Sequence, residues 1–240
     1  METNRFIFRA FRAPNDIEAC MKYKEGHQAV LRDYGITNIT SNMDEWMHDP
    51  HMHCVVAYTN DHEMIGGIRV QVAEEGKMLP VEKAIGKMDN RIYDIVKNYR
   101  EDGGVGELSA LWNAKKVAGL GVSMLLVRAG ISITNQAGIN TLVGICGEYT
   151  LKMFQQVGFV VNHSLGMNGL FAYPKDEFQA RVLGILNSST LETAAEYDKN
   201  RMQFLRENPV STYTELGPKG EMEVDYNLVM AEYNEKKKYA

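Results

Sequence analysis

The chain carries 26 Lys+Arg against 31 Asp+Glu over 240 residues, a formal charge of −5 that gives no support to nucleic-acid binding as its main role. Its 45% hydrophobic and 24% charged residues are the balance of a globular domain with a sizeable core. No run approaches the ~18 apolar residues that span a bilayer, and three unclustered cysteines (Cys20, Cys54, Cys146) supply neither a disulfide framework nor a zinc ribbon.

The first segment, RFIFRAFRA, alternates as a strand does and stops at Pro14. Arginines interrupt its apolar residues, so it does not read as a signal peptide; with the cysteine usage this predicts a cytoplasmic setting. PNDIEACMKYKEGHQAVLRDYG follows as a helix closed by Gly35, and HCVVAYT and MIGGIRVQV form a hairpin across NDHE. Pro80 opens a helical region that ends near Gly103 and Gly104. VGELSALWNA is strand-like, and KKVAGLGV leads directly from it into an amphipathic helix that stops at Gly138. INTLVGIC reads as a short buried strand, EYTLKMFQQVG as a helix, and FVVNHSLG and GLFAYP as strands.

After Pro174 the pattern predicts helices over DEFQARVLGILN and SSTLETAAEYDKNRMQFLREN. A loop over STYTELGPKGE and a terminal helix over DYNLVMAEYNEKKKYA complete the chain. The fold class is therefore α/β (α+β), with a domain over residues 1–175 and a helical C-terminal extension over 176–240.

A strand, a glycine loop and a helix in succession leave N–H groups unpaired at the positive end of the helix, where a pyrophosphate can bind. Lys116-x-x-Gly119-x-Gly121 matches neither G-x-x-x-x-G-K-[ST] nor G-x-G-x-x-G, which excludes the two common nucleotide loops and leaves a plain strand–helix corner open. The strand before the loop carries one charged residue, Glu107, inside an apolar run.

This order resembles the GNAT superfamily of N-acyltransferases, whose central strand splays from its neighbour to admit the pantetheine arm of an acyl-coenzyme A. The resemblance implies a mixed, mostly antiparallel sheet flanked by helices, with acyl-CoA or acetyl-CoA as donor and no metal. In that family a [QR]-x-x-G-x-[GA] loop binds the pyrophosphate. Lys116 stands at the Gln/Arg position, keeping the charge without the bidentate fork, and Gly119 and Gly121 match. The implied cofactor-binding residues are Leu111, Trp112 and Asn113 on the strand, then Lys116, Val117, Ala118, Gly119, Leu120, Gly121 and Val122. Phe154, before Gly158-Phe159, occupies an aromatic position where some families use a Tyr as general acid; Tyr149 is the substitute nearest in sequence.

Toward the N-terminus the sequence looks like the acyl-homoserine-lactone synthases and the long-chain N-acyl amino acid synthases. Gly66, Arg69, Leu79, Pro80, Glu107 and Ser109 fit their shared pattern. Ala110 replaces the Arg of Glu-x-Ser-Arg, and Met47 an aspartate. The clear glycine loop makes the chain resemble the N-acyl amino acid synthases more closely, or an unassigned relative of both.

Acyl transfer to an amine needs the neutral nitrogen, and an alkylammonium has a pKa of about 10, so a base must take a proton. Glu107 is the candidate, since an apolar strand raises a carboxyl's pKa; the alternative is a structural carboxylate satisfied by Arg69. Backbone N–H groups around Leu111–Asn113 would stabilise the oxyanion, while Ser109 either holds a water or amine or is simply a strand serine. Arg69 and Phe154 are candidate substrate contacts. MHDPHMHC matches no zinc signature, and Cys146 has no partnered base, so neither is assigned chemistry.

The leading expectation is an N-acyltransferase acting on a small-molecule primary amine, with acyl carrier protein as an alternative donor and no nucleic acid or membrane span. Self-association would use the C-terminal helices. An acetyl-CoA-dependent acetyltransferase and a non-catalytic acyl-CoA sensor both stay open, the latter because of Ala110 and Phe154.

Overall fold

β1 (Asn4–Arg12), α1 (Ile17–Asp33) and the hairpin β2 (Met52–Thr59)–β3 (Met64–Val72) fall where alternation and helical spacing predict them. The computed structural model describes residues 4–36 and 44–231. α1 begins on Asp16, whose side chain accepts from the Ala19 amide at 2.9 Å and so satisfies one of the free donors of the first turn. The helical region opened by Pro80 is two helices, α2 (Pro80–Ile85) and α3 (Arg91–Glu101). Then follow β4 (Val105–Asn113), α4 (Val122–Ser132), β5 (Thr141–Gly147), α5 (Leu151–Gln156), β6 (Val160–Val161) and β7 (Leu170–Ala172). β8 (Gln179–Ile185), α6 (Glu196–Glu207), β9 (Val210–Gly217) and β10 (Gly220–Asn227) complete the described chain.

The ten strands of the described residues join one sheet in the order β6-β8-β5-β4-β3-β2-β1-β10-β9, with β7 paired to β8 off that path. Among the described residues only β4–β5 and β1–β10 are parallel, which is the mixed, mostly antiparallel sheet expected. The helical C-terminal extension is corrected. Residues 179–185, predicted helical, form β8 against β5; 211–221, predicted as a loop, and 225–227, predicted helical, fall in a hairpin beside β1. QARVLGI is a short apolar run whose residues are buried on both faces of the sheet, a pattern that helix and strand share. In the hairpin, Met222, Val224 and Tyr226 alternate inward while polar residues face out. Residues 228–231, also predicted helical, form no helix, and 232–240 lie outside the described residues.

One face of the sheet packs on α4 and α6 through the main core, which includes Phe8, Ile68, Leu108, Leu126 and Met202. The other face has two smaller cores. Tyr23 of α1, Cys54 and Trp112 belong to one; Val81 of α2, Val96 of α3 and Val143 belong to the other. Among the described residues, the C-terminal helices expected for self-association leave α6, whose Met202 and Leu205 are buried in the chain's own core. A buried ionic network fastens α6 and the hairpin to α4. Arg128 meets Asp198 at 2.6 Å, Arg201 meets Glu215 at 2.7 Å, and the Tyr226 hydroxyl donates to Glu215 at 2.9 Å. Among the described residues, no helix is long and apolar enough to cross a membrane.

Candidate active site

β4 and β5 pair only at Val105↔Thr141, Gly106↔Leu142 and Glu107↔Val143. Past Glu107 they separate, and the gap holds a cavity of about 490 Å³ between Ser109–Leu111 on one side and Ile145–Gly147 on the other. Leu108, Phe154 and Phe178 make much of its lining apolar. Phe154 sits edge-on to Phe159, which fixes its ring at the wall. Tyr149 reaches the same cavity but is 82% exposed, so it stands at the mouth.

Opposite β3 the register of β4 slips. Gly67 faces Trp112 and Arg69 faces Ser109, so Ala110 and Leu111 together oppose Ile68. This is a β-bulge, and Ala110 takes a left-handed φ of 52° within it. The Ser109 hydroxyl beside the bulge is buried without a partner among the described residues.

The pairs Arg69↔Ser109 and Gln71↔Glu107 place these four side chains on the sheet face between the two smaller cores. Glu107 is 1% exposed. Its Oε2 accepts from the Val81 amide at 2.7 Å, at the start of α2, while its Oε1 has no partner among the described residues. Burial pushes its carboxyl up to about 8, against the opposing pull of the Val81 amide and of Arg69. Arg69 is also buried, and its Nε has no partner among the described residues. No hydrogen bond or ion pair joins it to Glu107; its guanidinium instead lies 4.5 Å from the Trp46 ring centre. Arg69, Trp46 and Gln71 line a second cavity, of about 610 Å³, which Pro80, Lys77 and Lys83 also border. The Arg69–Ser109 pair therefore stands between the two cavities, one residue lining each.

The glycine loop keeps some of its expected donors and uses up others. Lys115–Val117 form a 3-10 turn, and the Val117, Ala118 and Leu120 amides donate to carbonyls within the loop at 3.0–3.1 Å. Gly119, Gly121 and Val122 donate to no backbone carbonyl among the described residues. Positive φ at Gly119 (77°) and Gly121 (98°) turns the chain onto α4, a conformation that suits glycine. Lys116 turns outward onto Glu63, and Lys115 pairs with Asp33. The cation that does lie over the loop is Lys219, from the β9–β10 turn, whose Nζ donates to the Ala118 carbonyl at 3.1 Å. Trp112 is buried under Gly26 of α1, and Asn113 accepts from Ser123 at 2.5 Å at the first turn of α4.

No family model and no curated protein matches this sequence. Solved structures do match. FeeM, an N-acyl amino acid synthase from uncultured soil microbes, aligns with a TM-score of 0.63 at 13% identity, over 82% of this chain and 98% of its own. BjaI, a CoA-dependent acyl-homoserine lactone synthase with SAM and isopentyl-CoA, gives 0.52 at 15% identity over 82% and 90%. MesI, a further CoA-dependent acyl-homoserine lactone synthase, gives 0.51 at 10% identity over 83% and 95%. The chain has the GNAT fold.

In this GNAT fold the expected site residues form two groups. Arg69, Glu107 and Ser109 come together, and Ser109, Leu111, Tyr149 and Phe154 share the cleft. Lys116 is outside both. Sequence reasoning missed Tyr23, Trp46 and Lys219, which reach the site from 87, 23 and 101 residues away from their partners. The isolated aromatic pair Tyr23 and Trp46 carried no spacing signal; G-P-K-G around Lys219 offered a turn but not where its side chain would reach.

Proposed function

We propose that this protein is an N-acyltransferase that moves an acyl group from an acyl-CoA to the primary amine of an amino acid or a related small carboxylate-bearing metabolite. The observation that carries the reading is the apolar cleft opened by the parting of β4 and β5, with the Ser109–Leu111 bulge on its wall and buried Glu107 at the fork. An apolar cavity of about 490 Å³ suits an acyl chain and the pantetheine arm. The N–H groups of Gly119, Gly121 and Val122, with Lys219 above them, fit the pyrophosphate.

The bound thioester would supply the acyl group and a thiol leaving group; the chain's own residues would do the rest. Glu107 Oε1 takes a proton from the acceptor ammonium, directly or through a water, freeing the nitrogen lone pair. The bulge amides at Ala110–Leu111 donate to the thioester oxygen as negative charge builds on it. The C–N bond forms, the C–S bond breaks, and the thiolate leaves to be protonated by solvent or by a second acceptor proton. Arg69 lacks a carboxylate ion-pair partner among the described residues, and a buried guanidinium in that state favours an anionic guest; it would hold the acceptor's carboxylate in the 610 Å³ cavity.

The test is thiol release from acetyl-, octanoyl- and dodecanoyl-CoA against a panel of amino acids and simple amines. Release that requires both a thioester and a carboxylate-bearing amine supports the reading. Thermal stabilisation by acyl-CoA without any release would make the protein a binding module instead.

A further inference from the structure

We propose that Tyr23 is a positioning residue for acyl transfer: its hydroxyl clamps the Ala110 carbonyl and thereby aims the Leu111 amide at the thioester oxygen. The inference rests on the acyltransferase reading above. It begins with an oddity of β4. Alanine at φ 52° in a strand is strained, and such positions persist only where the surroundings enforce them. A bulge with a left-handed first residue ordinarily carries glycine there. Something must therefore hold Ala110 in place.

Tyr23 does so from α1. Its hydroxyl donates to the Ala110 carbonyl, and this contact crosses 87 residues of chain. Burial pushes the phenol well above its ordinary value, so it remains a donor through the working pH range. The ring itself is fixed by neighbours. Trp112 and Trp46 meet it edge-on at 5.9 and 5.7 Å between ring centres. Beneath it lies Gly67, where a Cβ would come within 2.4 Å of the ring. Gly67 is also the last paired residue of β3 before the register slips. The chain thus omits a side chain where one would collide with the clamp.

The consequence follows from peptide geometry. In a trans peptide the C=O of Ala110 and the N–H of Leu111 point in opposite directions. Fixing the carbonyl on α1 fixes the amide on the far side of the same plane, and Ala110 and Leu111 both line the cleft. Preorganised donors of this kind act because they need no reorientation during the reaction. Tyr23 does not touch substrate in this scheme; it acts through the peptide.

Tyr23→Phe keeps the ring packing and removes the hydroxyl. We expect kcat to fall about tenfold or more with the acyl-CoA KM within about twofold, because the lost alignment matters only as charge develops. The thioester carbonyl stretch of bound acyl-CoA, read by isotope-edited infrared spectroscopy, should move toward its solution frequency. A merely structural tyrosine would leave that frequency unchanged. Ala110→Val attacks the same peptide with the hydroxyl intact, since a β-branched residue resists positive φ; it should give the same split of kcat from KM. Wild-type kcat and an unchanged carbonyl frequency in Tyr23→Phe overturn the inference while leaving the acyltransferase reading standing. A wild-type protein that releases no thiol with any donor removes both.

Discussion

Glu107→Gln separates a working base from a structural carboxyl. Glutamine retains an oxygen for the Val81 amide, so the start of α2 stays anchored, but it cannot take a proton. With its carboxyl raised to about 8, only about one molecule in ten carries the Glu107 carboxylate at pH 7. The wild-type kcat/KM, which reports the free enzyme's groups, should therefore climb nearly tenfold per pH unit below 8 and level off above it. The variant should lose about 10²–10⁴-fold in kcat and lose that rising limb. Stability gives an independent reading of the same group. From its ordinary value of 4.5 up to about 8, the folded chain holds a proton that the unfolded chain has released. Wild-type stability should accordingly fall as pH rises through this window, by roughly 5 kcal/mol at most, and flatten above it. Glu107→Gln should remove that slope. Urea denaturation at pH 5, 7 and 9, with thiol release at the same values, measures both. A variant that retains wild-type kcat and its pH profile refutes the base assignment.

Other expectations follow from the neighbouring groups. Arg69→Lys loses the planar fork and the stacking on Trp46, and should raise the acceptor KM about tenfold or more while the acyl-CoA KM stays put in thiol-release kinetics. Lys219→Glu reverses the charge over the glycine loop and should weaken CoA by about threefold to tenfold in calorimetry, more at low salt than at high. Glu215→Gln leaves Arg201 and Arg128 short of a buried counter-charge and should cost about 3–5 kcal/mol in urea denaturation, since both pairs are nearly inaccessible to water.

Local signals carried much of the fold. The alternation of RFIFRAFRA, the turn between two β-rich runs and the Pro80 start each fixed an element, because each depends on residues close in sequence. β8 was misread for a reason that pattern alone cannot remove: Val182, Leu183 and Ile185 are apolar at spacings that serve both a buried strand and a helix face. The β9–β10 hairpin was misread although Gly217-Pro218-Lys219-Gly220 offered a turn, because β9 is an edge strand with polar residues on much of its surface. In the candidate site, Glu107 announced itself as a single charge in an apolar strand, and its burial agrees. The Tyr23 clamp, the stacking of Arg69 on Trp46 and the reach of Lys219 had no such signal. They exist only once the sheet brings distant segments together, and a lysine three residues before the loop glycine Gly119, Lys116, was the nearer choice in sequence but faces Glu63.

Acyl transfer from a thioester to an amine in the cleft between β4 and β5 underlies the kinetic predictions. Mass spectrometry after incubation with dodecanoyl-CoA and a panel of amino acids tests it most directly. One amide-linked acyl product is expected per thiol released, formed about 10²–10⁴-fold more slowly by Glu107→Gln. Free thiol without amide, or no product from either acyl-CoA or a carrier-protein thioester, would contradict it.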